Sequence, residues 1–285
     1  MTIFLLFLFG LITGSFLNVV SFRYDPEKSV FNFRNLLGRS HCPFCRKTLR
    51  WYELIPVLSF VVQLGKCRSC GAKLSWQYPL VELTSGLIFL LPLYFSNYTL
   101  TPKPYTLIES IIWILVFLTF LLIWTIDYRL YLIPDELNWA LVILGLVLIL
   151  SSAGNFGEFQ GSFIGPYASL FGLRQNIWLN HLFGAGFGIL LTGAIIFLTR
   201  GKGMGMGDLK LLGALGFLYG WPDVLFIFMF GSLVGGVVSA VLLLIRRWGM
   251  KSQVPFGPFL ILGAMLVFFF GEFLLRQYFT LFEIL

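Results

Sequence analysis

Asp127 and Asp208 each stand at the edge of a long apolar run, and Asp208 closes the segment Gly203-Met204-Gly205-Met206-Gly207-Asp208. Ionisable residues are costly there, and in a membrane chain they are functional candidates by default. Two carboxyls brought close together share a proton. The ionised member can then deprotonate a water that attacks a peptide carbonyl. The protonated member hydrogen-bonds the carbonyl oxygen, and a proton later passes to the leaving amine. The chemistry expected of such a pair is peptide-bond hydrolysis at a membrane surface, with no serine or cysteine nucleophile. Asp135, in Ile133-Pro134-Asp135, is a rival to Asp127, although its place reads as the cap of the following helix. For Asp208 the competing readings are pairing with Lys210 or Arg129, or capping the helix that it opens. Gly201, Gly203, Gly205 and Gly207 strip alternate positions of side chains, giving an extended or close-approach backbone that a substrate strand could pair with. The Gly201-Lys202 step is followed by Gly203 instead of Ser or Thr, so the run is no phosphate loop.

A second constellation lies earlier in the chain. All four cysteines fall in one polar stretch as Cys42-Pro-Phe-Cys45, 21 intervening residues, and Cys67-Arg-Ser-Cys70. Paired C-x-x-C turns suit tetrahedral zinc, each presenting two thiolates. Four cysteines leave no open coordination position, so the expected zinc is structural, ordering a loop too small to build its own core. Arg46, Lys47, Lys66 and Arg68 stand beside the thiols and favour their ionised form. His41 is a competing ligand next to Cys42, or an ordinary loop histidine.

The elements that must position these groups are membrane helices. Hydrophobic residues make up 58% and charged residues 12%, with a mean hydropathy of +0.88; a soluble domain carries about a quarter charged residues. Backbone polar groups in lipid must be satisfied within each segment, which predicts an all-α polytopic integral membrane protein. Apolar runs near the ~20 residues that cross a bilayer predict eight spans, at about 3–22, 79–98, 107–126, 137–152, 178–199, 204–221, 224–245 and 258–279, the fourth and sixth being short. The first lacks a basic start and a small-residue cleavage site, so it reads as an uncleaved span. The expected organisation is residues 1–22 as the first span, 23–78 as a cytoplasmic zinc-knuckle loop, and 79–285 as the membrane catalytic domain. Residues 23–78 carry ten Lys/Arg against three Asp/Glu, which makes that stretch cytoplasmic. Threading eight spans from it puts both termini outside and both aspartates at the inner face. Arg129, Arg200, Lys202, Arg246, Arg247 and Lys251 then fall inside, leaving Lys103, Arg174 and Arg276 outside. The net charge of +7 is explained by this asymmetry and calls for no nucleic-acid partner. The outer stretch 153–177 reads as a surface-lying loop.

With these segments in hand, the chain resembles the type IV prepilin peptidases, the bifunctional leader peptidase/N-methyltransferases of the GxGD aspartyl protease class. The resemblance rests on Gly14-Ser15-Phe16-Leu17-Asn18-Val19-Val20 with Arg23, the two cysteine turns, Ile55-Pro56-Val57-Leu58-Ser59 and Tyr78-Pro79-Leu80-Val81-Glu82. It continues through Ile126-Asp127 to Ile133-Pro134-Asp135, and Gly203 to Leu211. It implies that Asp127 and Asp208 are catalytic, and that the substrates are prepilins or pseudopilins of the bacterial plasma membrane. Their basic leader would be cut on the cytoplasmic side after a glycine. It also implies that the new N-terminal amine is methylated from S-adenosylmethionine, an activity the family places with the N-terminal cytoplasmic loop. Glu53 and Glu82 are then candidate binders of a cationic amine or of the cofactor, against a reading as salt bridges with loop arginines. Gly14, Ser15 and Asn18 could contact a substrate helix, or serve interhelical packing. No Rossmann fingerprint follows a strand. A different intramembrane aspartyl protease is disfavoured by the cysteine loop. A transporter is disfavoured by carboxylates near one face and by the lack of repeated halves.

Overall fold

A computed structural model describes residues 2–30, 38–92, 107–152, 162–172, 176–245 and 254–281. Its elements are α1 (Thr2–Arg23), α2 (Leu58–Val62), α3 (Gln77–Ile88), α4 (Leu107–Leu130), α5 (Asp135–Ser152), α6 (Ile177–Leu198), α7 (Met206–Tyr219), α8 (Asp223–Leu244) and α9 (Gly257–Leu281), with 3-10 turns at Trp51–Glu53 and Gly165–Phe171. Among the described residues there is no extended strand, only two isolated bridges. The protein is an all-helical, multi-pass membrane protein: α1, α4, α6, α8 and α9, of 22 to 25 residues, are long and apolar enough to cross a bilayer. The helices α3, α5 and α7 have 12, 18 and 14 residues. Part of the expected second span, and the charges at 103, 174, 246, 247 and 251, lie outside the described residues.

The chain divides into two compact units, Met1–Ile126 and Asp127–Leu285. In the first, α1 packs on α3. Gly10 and Gly14, spaced as small-xxx-small, make this possible: a Cβ at either would stand 2.7 Å from the α3 backbone, at Gly86 and Glu82 respectively.

In the second unit the same device recurs twice. Gly184 and Gly188 of α6 meet the backbone of α7 at Gly216 and Leu212, and Gly231 of α8 meets Phe259 and Leu260 of α9. Helix α7 is the centre of this unit, in contact with α5, α6, α8 and α9. Leu211, Leu212 and Leu215 are fully buried, so this helix faces protein on all sides. That explains its length: at 1.5 Å per residue it runs about 21 Å, short of the ~30 Å hydrocarbon layer that a lipid-facing helix must bridge.

Candidate active site

Three helix ends of the second unit converge on the acidic pair. Helix α4 runs past its apolar stretch to Leu130 and stops where Tyr131, at φ 54°, donates its N–H to Asp127 O at 2.9 Å. This leaves Asp127 in the last turn, only 4% exposed, with its Oδ2 buried and without a hydrogen-bond partner among the described residues. Asp208 sits in the first turn of α7, half-buried, and its charge reaches Asp127. Gly257 opens α9 against Asp127: a Cβ there would stand 2.6 Å from Asp127 Oδ2. Ile133 fits between the helix starts, 3.0 Å from that Cβ and 3.4 Å from one on Gly207. The glycines thus clear space for a carboxyl and for the wedge that spaces the helices.

The alternatives for Asp208 are answered in part. It does cap its helix, because Gly205 N–H donates to Asp208 Oδ2 at 3.1 Å. It does not pair with Lys210, which holds Asp135 instead, at 2.7 and 2.8 Å. Asp135 opens α5 in this exposed ion pair, away from the role of an N-cap acceptor that its position had implied. The glycine run is extended only in part: Gly205 is at φ −89°, ψ 159°, whereas Gly207 is already helical.

In the first unit the four cysteines come together, all Sγ atoms within 4.8 Å of one another. The two turns are built alike. Cys42 O accepts from Arg46 and its N–H donates to Lys47 O; Cys67 O accepts from Gly71 and its N–H donates to Ala72 O. Arg46 at φ 55° and Gly71 at φ 71° occupy equivalent positions. The backbone amides of Cys70 and Ser69 hold the Cys67 thiol down to about 6. Four convergent sulfurs with amide donors fit a bound metal ion. His41 is exposed and faces Arg39 O at 3.3 Å, outside the cluster.

The two glutamates differ. Glu53 accepts the Arg50 backbone N–H at 2.8 Å and fixes its own 3-10 turn, a local role in place of an arginine salt bridge. Glu82 is buried, and its Oε2 accepts Val57 N–H at 2.7 Å, with a further hydrogen bond from Ser15. Val57 is the centre of a strained γ-turn, at φ 60°, ψ −51°, closed by Leu58 N–H to Pro56 O at 2.5 Å. A β-branched residue in that region is a local cost that surroundings must enforce. Asn18 donates to Tyr78 O at 3.1 Å, while its Oδ1 is buried without a partner.

Sequence reasoning missed two residues. Gly257 was legible as the glycine of Pro255-Phe256-Gly257-Pro258 opening the last span, where proline suits the first helical turn. Asp223 had been left in a connection before an eighth helix expected to start at Val224. It is fully buried and accepts from Ser162 Oγ at 2.7 Å and from Phe163 N–H at 3.0 Å. Residues 162–171 are correspondingly not a surface loop: Ile164 is fully buried and the Phe163 ring lies between Tyr219 and Phe268. The rest of the stretch, apart from 172, 176 and 177, lies outside the described residues.

Comparison with known proteins agrees with this arrangement. Residues 8–95 match the bacterial peptidase A24 N-terminal domain and residues 112–240 match the type IV leader peptidase family. A protein of Aeromonas hydrophila named prepilin leader peptidase/N-methyltransferase is 34% identical, the match covering 97% of this chain and 93% of the relative. Proteins of the same name from Bacillus subtilis and Pseudomonas aeruginosa are each 32% identical, covering 96% and 95% of this chain and 96% and 91% of their own lengths. No solved structure matches. On motif order, on site geometry and on similarity along nearly its whole length, the chain belongs to the type IV leader peptidase family.

Proposed function

We propose that this chain is a membrane aspartyl endopeptidase that removes the leader of type IV prepilins or pseudopilins after a glycine, and that it then N-methylates the new terminus using S-adenosylmethionine. The observation that carries the first part is a buried carboxyl of Asp127 with an uncommitted oxygen, within reach of the charge of Asp208. The pair holds one proton between its members, as close carboxyls must. The ionised member deprotonates a water, which attacks the scissile carbonyl. The protonated member donates to the developing oxyanion, and a proton passes to the leaving amine. The extended backbone at Gly205, with its exposed neighbours, offers an edge on which a substrate strand lies across the pair. Gly257 and Ile133 keep the carboxyls apart from bulk while leaving room for that strand.

The same reading gives residues 23–78 to a cytoplasmic loop, residues 79–285 to the catalytic domain, and eight passes in a bacterial plasma membrane with both termini outside. The basic excess of the loop supports the orientation. Cys42, Cys45, Cys67 and Cys70 would hold zinc, which when bound supplies a structural tie and no open coordination position. Removing one ligand, Cys42→Ser, is expected to lower bound zinc from about one ion per chain to a small fraction, read by metal analysis of purified protein.

The test of the peptidase is cleavage of a prepilin-like substrate in detergent by wild type, Asp127→Asn, Asp208→Asn and Asp135→Asn. Loss in the first two variants with Asp135→Asn active, all being folded, establishes the pair. Full activity in Asp127→Asn or Asp208→Asn would sink it.

A further inference from the structure

Beside the cysteine turns the first unit contains a cavity of about 300 Å³, at the small end of the range that ligand sites occupy. Its walls come from four places: Phe22 at the end of α1, Pro43 and Phe44 between the first pair of thiols, Lys73 and Leu74 just after the second pair, and Tyr78 at the start of α3. We propose that this cavity seats the adenosyl group of S-adenosylmethionine, with Phe44 as stacking surface for the base and Lys73 as partner of the methionine carboxylate. The proposal rests on the methyltransferase reading given above and names its site.

The chemistry of the lining supports this ligand. Phe22 and Tyr78 stack on each other at 4.8 Å and 19°, forming one aromatic wall. Phe44 is 66% exposed on a loop beside the opening, so its ring is available to a second planar group. Aromatic surfaces bind a nucleobase through its π-face and also attract a sulfonium cation. Lys73 is exposed, and among the described residues its ammonium has no ion-pair partner. A ligand with an aromatic end and an anionic end matches both features. A bilayer lipid would match the lysine but not the aromatic wall, and an apolar leader side chain would leave the lysine unused. The chain has no glycine-rich turn after a strand that could hold a nucleoside in the usual soluble way. The relatives are nonetheless named N-methyltransferases.

The geometry also explains why the walls are preformed. Phe44 lies between Cys42 and Cys45, and Lys73 follows Cys70 by three residues, so the convergence of the four thiols sets the gap between those walls. Lys47 Nζ ties the two turns further, donating to Ser69 Oγ at 2.8 Å.

The experiment uses the full chain in detergent with its metal, as wild type, Phe44→Ala, Lys73→Met and the conservative variants Phe44→Tyr and Lys73→Arg. Binding of S-adenosylhomocysteine is measured by titration calorimetry, and cleavage of a prepilin-like peptide is followed in parallel. Phe44→Ala and Lys73→Met are each expected to weaken binding by roughly tenfold or more, the scale of a lost base stack or charge partner. Phe44→Tyr and Lys73→Arg should stay within about threefold of wild type, with kcat and KM for cleavage unchanged throughout. Unchanged affinity in both Phe44→Ala and Lys73→Met, with wild type binding normally, overturns the site and leaves the methyltransferase reading standing. Wild type that neither binds the probe nor transfers a methyl group overturns both. A raised KM for the peptide with unaltered probe affinity would assign the cavity to the leader instead. Should Phe44→Ala lose its metal, Lys73→Met decides, since Lys73 lies outside both C-x-x-C turns.

Discussion

Asp223, at the start of α8, and Asp127, near the end of α4, are both buried carboxyls of the 127–285 unit. Their surroundings could hardly differ more. Asp223 spends both oxygens, on the Ser162 hydroxyl and the Phe163 amide, and pins residues 162–171 against α9, where Gly271 lets the Phe163 carbonyl approach. Asp127 keeps Oδ2 without a partner and has a second carboxyl's charge nearby. Burial alone therefore does not mark a working carboxylate. A buried group whose lone pairs are all used holds the fold, whereas a buried group with a lone pair left over is an exception that calls for a reason. Glu82 lies between the two cases: its Oε2 anchors the strained Val57 turn, while Asn18 Oδ1 and Ser85 Oγ, on the two helices that flank it, remain unsatisfied.

The comparison breaks or holds first on activity. Asp127→Asn should lower cleavage by roughly three orders of magnitude, within the span that a positioned acid or base contributes. Its melting midpoint in detergent should stay level or rise, because an awkward buried carboxyl is gone. Asp223→Asn should do the opposite. One acceptor becomes an amide donor facing another donor, costing about 1–3 kcal/mol of stability, while kcat per folded molecule stays within about threefold. A folded Asp223→Asn that cannot cleave would dissolve the distinction.

A matched pair of glycine substitutions sharpens it. In Gly257→Ala the new methyl would stand 2.6 Å from Asp127 Oδ2, and in Gly271→Ala 2.7 Å from Phe163 O. The steric insult is nearly the same and the expected readout is not. Displacing a catalytic group by a fraction of an ångström can cost up to about a hundredfold in rate, so Gly257→Ala should lose ten- to a hundredfold in kcat with KM nearly kept. Gly271→Ala should instead lower the melting midpoint and leave kcat alone. Equal effects of both on kcat would mean that the outer segment and the acidic pair are mechanically one site.

The sequence made the site legible because its chemistry is expensive. Carboxylates at the ends of apolar runs and four cysteines in a basic loop stand out against lipid-facing residues, and both groups assemble as expected. The helix class was equally plain, since long apolar runs admit little else in a bilayer. What stayed hidden depends on packing partners far along the chain. Nothing around Leu211–Tyr219 says that this helix is enclosed by four others and so can be short. The 162–171 segment reads as a Gly, Ser and Phe loop, because the acceptor that folds it inward, Asp223, is 60 residues away. Glu82 drew attention as a charge, but its partner is a backbone amide freed by a γ-turn at Val57, and no local pattern of residue types announces that geometry.

The smallest expected effect tests the boundary of the acidic pair itself. Asp135 is the only other acid in the Asp127-to-α5 connection besides its neighbour Glu136, and it is bound to Lys210, two residues beyond Asp208. The distance is short, 2.7 Å, yet the side chains are 58% and 47% exposed. Exposed pairs of this kind contribute about 0–1 kcal/mol, because solvent screens the attraction and ordering two long side chains is costly. Asp135→Asn and Lys210→Met should therefore shift stability by less than about 1 kcal/mol. Each should leave cleavage within about threefold, and the two changes together should behave like either one alone, since both delete the same contact. A loss of several orders of magnitude in Asp135→Asn but not in Lys210→Met would show that the carboxyl acts directly on the substrate. Asp135 would then displace Asp127 from the pair, and the unpartnered oxygen of Asp127 would need another explanation. A similar loss in both variants would instead make the ion pair the strut that holds the starts of α5 and α7 together, and so sets where Asp208 stands.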